Sequence, residues 1–297
     1  MQAAPEKFDM VLSRDNPNHQ YLPGLSVLLG GMWIMNLSYW GFNQYIIQRA
    51  LAAKSVREAQ AGIVFAAFLK LLVPVLVVLP GVAAYVMSPD LARADQAYPT
   101  MMLLAPEGAR GLIFAALIAA IVSSLASMMN SIATIFTMDL VRPFRPATSE
   151  RMLVTTGRAV AVAAIVLASF AAQPLLGKAE QAFQWLQEFT GFFTPGIVTL
   201  FLLGMFWKRT TALGAFCAAV GSAFYSLVFK LDLTAHLGLD LALHTMPFMN
   251  RVGRVFLLCV ATAIAISLLQ GGRRDPKAID HEAIDFRTSA RDRKSVV

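Results

Sequence analysis

Apolar runs of about 20 residues, each long enough to cross a bilayer, recur along nearly the whole chain with charged loops between them. Seven can be read, over 23–50, 58–86, 110–138, 152–173, 180–206, 210–229 and 252–270. Lipid offers backbone N–H and C=O groups no water, so a run of this kind must satisfy them within itself, as a helix does. The chain therefore reads as an all-α polytopic membrane protein. With 57% of residues hydrophobic and 14% charged, it lies well outside globular proportions of about 25% charged. Cys217 and Cys259 fall inside apolar runs and read as small core residues rather than a disulfide framework.

The net charge of +7 could suggest a nucleic-acid partner, but the placement of the cations argues against one. They cluster in alternate loops: Arg49, Lys54 and Arg57; Arg142, Arg145 and Arg151; Lys208 and Arg209; then Arg273, Arg274 and Lys277. The intervening loops are mixed, with Arg93, Asp95, Glu107 and Arg110, then Lys178 and Glu180, then Lys230, Asp232 and Asp240. That alternation follows the positive-inside rule. It puts the polar segment 1–22 outside, extracellular or periplasmic, and the charged tail 271–297 in the cytoplasm. Residues 1–22 include Glu6, Lys7, Asp9, Arg14 and Asp15 and do not form a cleavable signal peptide. A chain that starts outside with no insertion signal before its first span is expected to lack an N-terminal portion, missing from the same chain or encoded separately.

Between Ala61 and Val86 the single formal charge is Lys70. A lysine at mid-membrane costs about 2.5–3.5 kcal/mol on insertion scales, so it usually faces a pathway or a buried partner. Snorkelling is the alternative, but it works best near helix ends, and Lys70 lies roughly 15 Å from a start near Gln60. Pro74 and Pro80-Gly81 should kink the outer half of that span. The first span carries Gly30-Gly31, then Asn36, Ser38, Tyr39, Gly41, Asn43 and Gln44. This composition fits a discontinuous helix or a straight one with small residues for close packing, and does not choose between them.

In the third span Ser123, Ser127, Asn130, Thr134 and Thr137 recur at steps of three or four and share a face, widened by Ser124 and Ser131. Any one of these hydroxyls can simply bond back to its own helix. Seven polar groups in one stripe, ending near Asp139, suggest a solvated path, and hydroxyl oxygens suit a small hard cation. The fourth span is Ala/Val-rich scaffold. The fifth opens with Phe183 and Gln187, four apart on one face, and is broken by Gly191, Pro195 and Gly196. An aromatic ring beside an amide suits a polyhydroxy compound, but also a bilayer anchor. The last two spans show no polar constellation. The stretch 230–250 has the pattern of a short interfacial helix.

Catalytic chemistry finds little support, because His19, His236, His244 and His281 all fall in loops or tail. No cofactor motif is present, so the chain is not read as an enzyme, and the short tail has no room for a kinase domain.

The strings GGMWIMNLSYWGFNQYIIQRALAAKS at 30–55, GIVFAAFLKLLVPVLVVLPG at 62–81, AALIAAIVSSLASMMNSIATIFTMD at 115–139 and FQWLQEFTGFFTPGIVTLFLLGMFWKRTT at 183–211 resemble the sodium/solute symporter family, in particular its sodium–sugar branch. The resemblance implies a leucine-transporter-like fold, in which two inverted repeats of five helices hold the substrate near the midplane. The spans within 23–206 look like the second repeat, and 207–270 like two peripheral helices. Carried over, Asn36, Lys70 and Gln187 would hydrogen-bond a sugar, Tyr39 would cover it from inside, and Phe183 would be a pocket aromatic. Ala120, through its carbonyl, with Ser123 and Ser124 would form half of a sodium site. The family's first repeat has no counterpart here, and with it go the remaining sodium ligands and a sugar-binding carboxylate. Ser38 and Trp185 stand where relatives can have tyrosine, which leaves the identity of the sugar open.

The resulting expectation is sodium-coupled symport of a sugar such as glucose or galactose, by alternating access, at the plasma or inner membrane. The chain would supply part of the transporter, with sodium ion, sugar, bilayer and an N-terminal repeat as partners. Taken alone, the residues could instead form a transport-inactive or assembly-only membrane protein. A symporter for another small polar solute is the remaining alternative.

Overall fold

The computed structural model describes residues 9, 11–13, 15–16, 19, 24–177, 181–232 and 246–272, and every element among them is helical. Helix α1 is a π turn over Leu28–Met32, an α turn over Trp33–Leu37 and a second π turn over Ser38–Phe42. It ends at Asn43, whose backbone is extended (φ −88°, ψ 118°). Helix α2 follows at Gln44–Leu51. Helix α3 spans Val56–Met87, α4 is Ala97–Leu103, and α5 spans Glu107–Phe144. Then come α6 (Glu150–Leu176), α7 (Ala182–Gly191), α8 (Thr194–Phe206), α9 (Ala212–Leu231) and α10 (Phe248–Leu269).

Five of these, α3, α5, α6, α9 and α10, are long and apolar enough to cross a membrane; α7 and α8 make a sixth span if taken together across their 45° bend. The first run, 23–50, is also discontinuous. Its interruption falls at Asn43 and not at Gly30-Gly31. Those glycines serve the other purpose the sequence allowed, close helix packing: a Cβ on Gly31 would run into the carbonyl of Met249, and one on Gly253 would stand 2.8 Å from Gly30 C.

Local chemistry sets the helix starts. Ser55 accepts from Glu58 N (3.2 Å), Ser149 from Met152 N (3.3 Å) and Thr211 from Gly214 N (3.2 Å), each a side chain satisfying a first-turn N–H that has no partner within the helix. Within α3 the α-helical portion Val56–Lys70 gives way to a π turn at Pro74–Val78. The expected proline disturbance thus opens just after Lys70, the last α-helical position, with Leu71 and Leu72 in turn conformation ahead of Pro74. A cation is electrostatically favoured at that carbonyl-rich end.

The chain divides into two units. The first, Gln44–Trp185, holds α2–α6. In it α5 packs on α6, where Gly157 lies close to Ala133 and Thr137, and Leu153, Ala161, Ser131 and Thr137 are buried. Helix α3 keeps Ile63, Val64, Phe65 and Phe68 exposed. Asp95 accepts from Ala182 N (3.1 Å) and lies 3.8 Å from Arg93 Nη2.

The second unit takes the described parts of Pro5–Asn43 and Leu186–Val297. Its core joins α1, α8 and α10 through Ile34, Val198, Val252 and Phe256. A second cluster joins α9 and α10 through Ala218, Val255, Cys259 and Ala263. Phe42 stacks on Phe201 at 4.3 Å and Trp33 meets Phe256 edge-on at 5.2 Å. The polar segment 1–22 lies mostly outside the described residues. So do residues 233–245 of the interfacial stretch and 273–297 of the tail.

Candidate functional site

In the second unit, α1 carries Asn36 in the α turn between its two π turns and Tyr39 inside the second π turn. Asn36 is exposed, and its Nδ2 donates to the Met32 carbonyl at 2.8 Å. Tyr39 is 41% exposed and packs edge-on against Trp40 (5.1 Å). A π turn shifts the backbone bond from i−4 to i−5 and is frequent at functional sites. Here it precedes the extended residue Asn43.

Gln187 sits on α7, little more than one turn before the bend. Phe183 stands a turn earlier on the same helix, and the division between the units falls between them. The bend itself is bridged from α9: Ser222 Oγ donates to the Phe192 carbonyl (2.7 Å) and accepts from Gly196 N (3.1 Å). Beside Gln187, Glu188 Oε2 lies 3.3 Å from Lys230 Nζ and 3.8 Å from Arg251 Nη2. The Lys230 ammonium stands 5.6 Å from the Phe192 ring centroid. The Arg251 side chain is only 10% exposed, a depth at which a charge needs a counter-charge.

In the first unit, Lys70 is on α3, and Ala120, Ser123 and Ser124 are on α5, all with exposed side chains. The last three lie within little more than one turn and could offer neutral hard oxygens to a sodium ion. Hard cations take about six or more oxygen ligands, so this is a partial set. The stripe beyond them is divided in its bonding. Ser127, Thr134 and Thr137 donate back to the carbonyls of Ser123, Asn130 and Ala133 at 3.1, 2.8 and 2.7 Å. Asn130 Nδ2 instead donates to Gln48 Oε1 (3.0 Å), Gln48 Nε2 donates to the Ser127 carbonyl (3.1 Å), and Arg49 donates to the Ser127 hydroxyl. Thr134, Thr137 and Asn130 also line a groove of about 580 Å³ against α6, where Glu150 and Arg158 stand.

The expected sugar contacts therefore fall on two units: Asn36, Tyr39 and Gln187 on the second, Lys70 and Phe183 on the first. Sequence reasoning missed Gln48, Arg49, Ser222, Glu188 and Arg251. Glu188 had a signal, since it is the only formal charge between Gln181 and Phe206. Ser222 had none, being an ordinary small residue that meets Gly196 from 26 positions away.

The sequence model described as the sodium:solute symporter family matches residues 1–221. Among individual proteins, the chain is 51% identical over 264 residues to a sodium/glucose cotransporter of Vibrio parahaemolyticus, covering 83% of this chain and 48% of that protein. It is 39% identical over 221 residues to the sodium/myo-inositol cotransporter 2 of Rattus norvegicus, covering 68% and 33% respectively. With a sodium/mannose cotransporter of Bos taurus it shares 33% identity over 290 residues, or 88% and 48%. The chain thus spans half or less of the length of these relatives.

Proposed function

The chain belongs to the sodium:solute symporter family, and from that premise we propose that it takes part in sodium-coupled symport of a sugar or sugar-like polyol. In this reading Asn36, Lys70 and Gln187 hydrogen-bond the substrate, Tyr39 covers it from the inside, Phe183 packs on it, and Ala120, Ser123 and Ser124 contribute oxygens to sodium. Residues 23–206 act as a leucine-transporter-like second repeat and 207–270 as its peripheral helices. Segment 1–22 lies outside the cell membrane and 271–297 inside. The rest of the ligand set comes from a first repeat outside these residues.

The observation that best supports the reading is that Asn36, Tyr39 and Gln187 stand beside helix interruptions, the π turns before Asn43 and the 45° bend after Gly191. Interrupted helices inside a membrane are tolerated where the opened backbone is buried in protein or lines a cavity, and transporters put their binding sites there. Sodium would favour the outward-open state, and sugar would then close the outer side. A membrane potential adds about 2.3 kcal/mol per charge per 100 mV to the driving force.

The test is initial-rate uptake of a panel of hexoses and inositols by cells expressing the gene with its upstream region, beside the same cells expressing the chain alone. Uptake of at least one sugar with the upstream region, its KM raised about tenfold by Gln187→Ala, is expected. Surface-expressed protein that moves none of the panel would contradict the proposal and favour an assembly-only role.

A further inference from the structure

In an unbroken helix the Gly196 N–H would donate to the carbonyl of Phe192, four residues back. In this protein the Ser222 hydroxyl occupies that bond. Gly196 N–H donates to Ser222 Oγ (3.1 Å), and Ser222 Oγ–H donates onward to the Phe192 carbonyl (2.7 Å). A side chain inserted into the i→i−4 ladder is one of the few physical causes of a sharp kink. Two features keep the ladder open at this point. Pro195 has no N–H to offer the Gly191 carbonyl, and Gly196 lets α9 approach so closely that a Cβ there would stand 2.8 Å from Ser222 Cβ and 2.9 Å from Ala219 Cα. Ser222 is fully buried, with Ser226 Oγ 3.5 Å from the same Phe192 carbonyl.

We propose that Ser222 is a positioning residue for the transported sugar: wedged into the ladder between Phe192 and Gly196, it sets the bend that aims Gln187. The inference rests on the reading of Gln187 as a sugar contact. Gln187 lies five residues before Phe192, about 7.5 Å along the helix. A 10° change in the bend therefore moves it on the order of 1.3 Å, beyond the roughly 0.5 Å within which binding groups must be held. With Ser222→Ala the Gly196 N–H can bond the Phe192 carbonyl directly, the helix straightens, and Gln187 leaves its place. Sodium contacts on Ala120, Ser123 and Ser124 belong to the other unit and to another helix.

A double-mutant cycle on sugar uptake, with the gene and its upstream region expressed in cells, tests this. Ser222→Ala is expected to raise the sugar KM about tenfold, the scale of one lost hydrogen bond, with the sodium half-saturation unchanged. In a Gln187→Ala background the same substitution is expected to raise KM no further, because its effect passes through Gln187. Equal effects in both backgrounds would make Ser222 merely structural and overturn the proposal, as would an unchanged KM in the wild-type background. If Ser222→Ala does not reach the membrane, Ser222→Cys, which keeps a weaker donor, is read by the same two criteria. A Gln187→Ala protein that transports normally would instead refute the assignment of Gln187 and leave the wedge as a feature of the fold alone.

Discussion

Lys70 and Glu188 pose the same physical problem, a formal charge in an otherwise uncharged apolar stretch, and the chain treats them differently. Glu188 lies 3.3 Å from Lys230 and 3.8 Å from Arg251, so its desolvation is offset within its own unit. Lys70 stands at the carbonyl-rich end of an α-helical segment, and in the proposed function it donates to the sugar. Lys70→Met should therefore lower the initial rate of sugar uptake at least about tenfold, on the scale of a lost charged hydrogen bond, at equal surface expression. Ser124→Ala should act elsewhere. Removing one oxygen from the proposed sodium ligands should raise the sodium concentration for half-maximal uptake about tenfold, which a sodium titration at saturating sugar would read. Unchanged sodium dependence would remove Ser124 from the site.

At the scale of elements, hydropathy was enough to locate the long apolar helices. The expected runs 58–86, 110–138 and 152–173 correspond to Val56–Met87, Glu107–Phe144 and Glu150–Leu176, with Ser55 and Ser149 capping the first and third of these. Interruptions were less legible. Composition left the first run undecided, because Gly30-Gly31 suits both a break and a close crossing, while the break belongs to Asn43. Ser222 was invisible, since inserting a hydroxyl into another helix's ladder depends on three-dimensional approach and leaves no period in sequence. The stripe on α5 was legible as a face, but not its division between back-bonded hydroxyls and the Gln48–Asn130 contact.

The glycine crossing permits a paired stability test. Gly31→Ala places a methyl group against the Met249 carbonyl and 2.9 Å from Val252 Cβ, whereas Gly62 has nothing within 4 Å of its Cβ position. Gly31→Ala should cost about 1–3 kcal/mol, the usual penalty of overpacking, in denaturation of the detergent-purified protein. Gly62→Ala should be neutral or slightly stabilising, since alanine exceeds glycine in helix propensity by roughly 1 kcal/mol. Equal behaviour of the two variants would count against a tight crossing of α1 and α10.

At the scale of the whole molecule, the membrane class follows from composition and the family from a match over residues 1–221. The alternation of basic loops makes a topological prediction. In a protein whose Cys217 and Cys259 are replaced by serine, Asp95→Cys should react with an impermeant thiol reagent in intact cells, and Arg145→Cys only after permeabilisation. The reverse pattern would invert the assigned orientation. The apolar residues of α3 from Ile63 to Val78 are exposed, a surface suited to the hydrocarbon of a bilayer.

The most direct test of sodium-coupled sugar symport is uptake into membrane vesicles prepared from cells expressing the gene with its upstream region, driven first by an inward sodium gradient and then by an equal potassium gradient. Transient accumulation of sugar above its external concentration is predicted with sodium alone. Equal uptake under both gradients, or equilibration without accumulation, would contradict it.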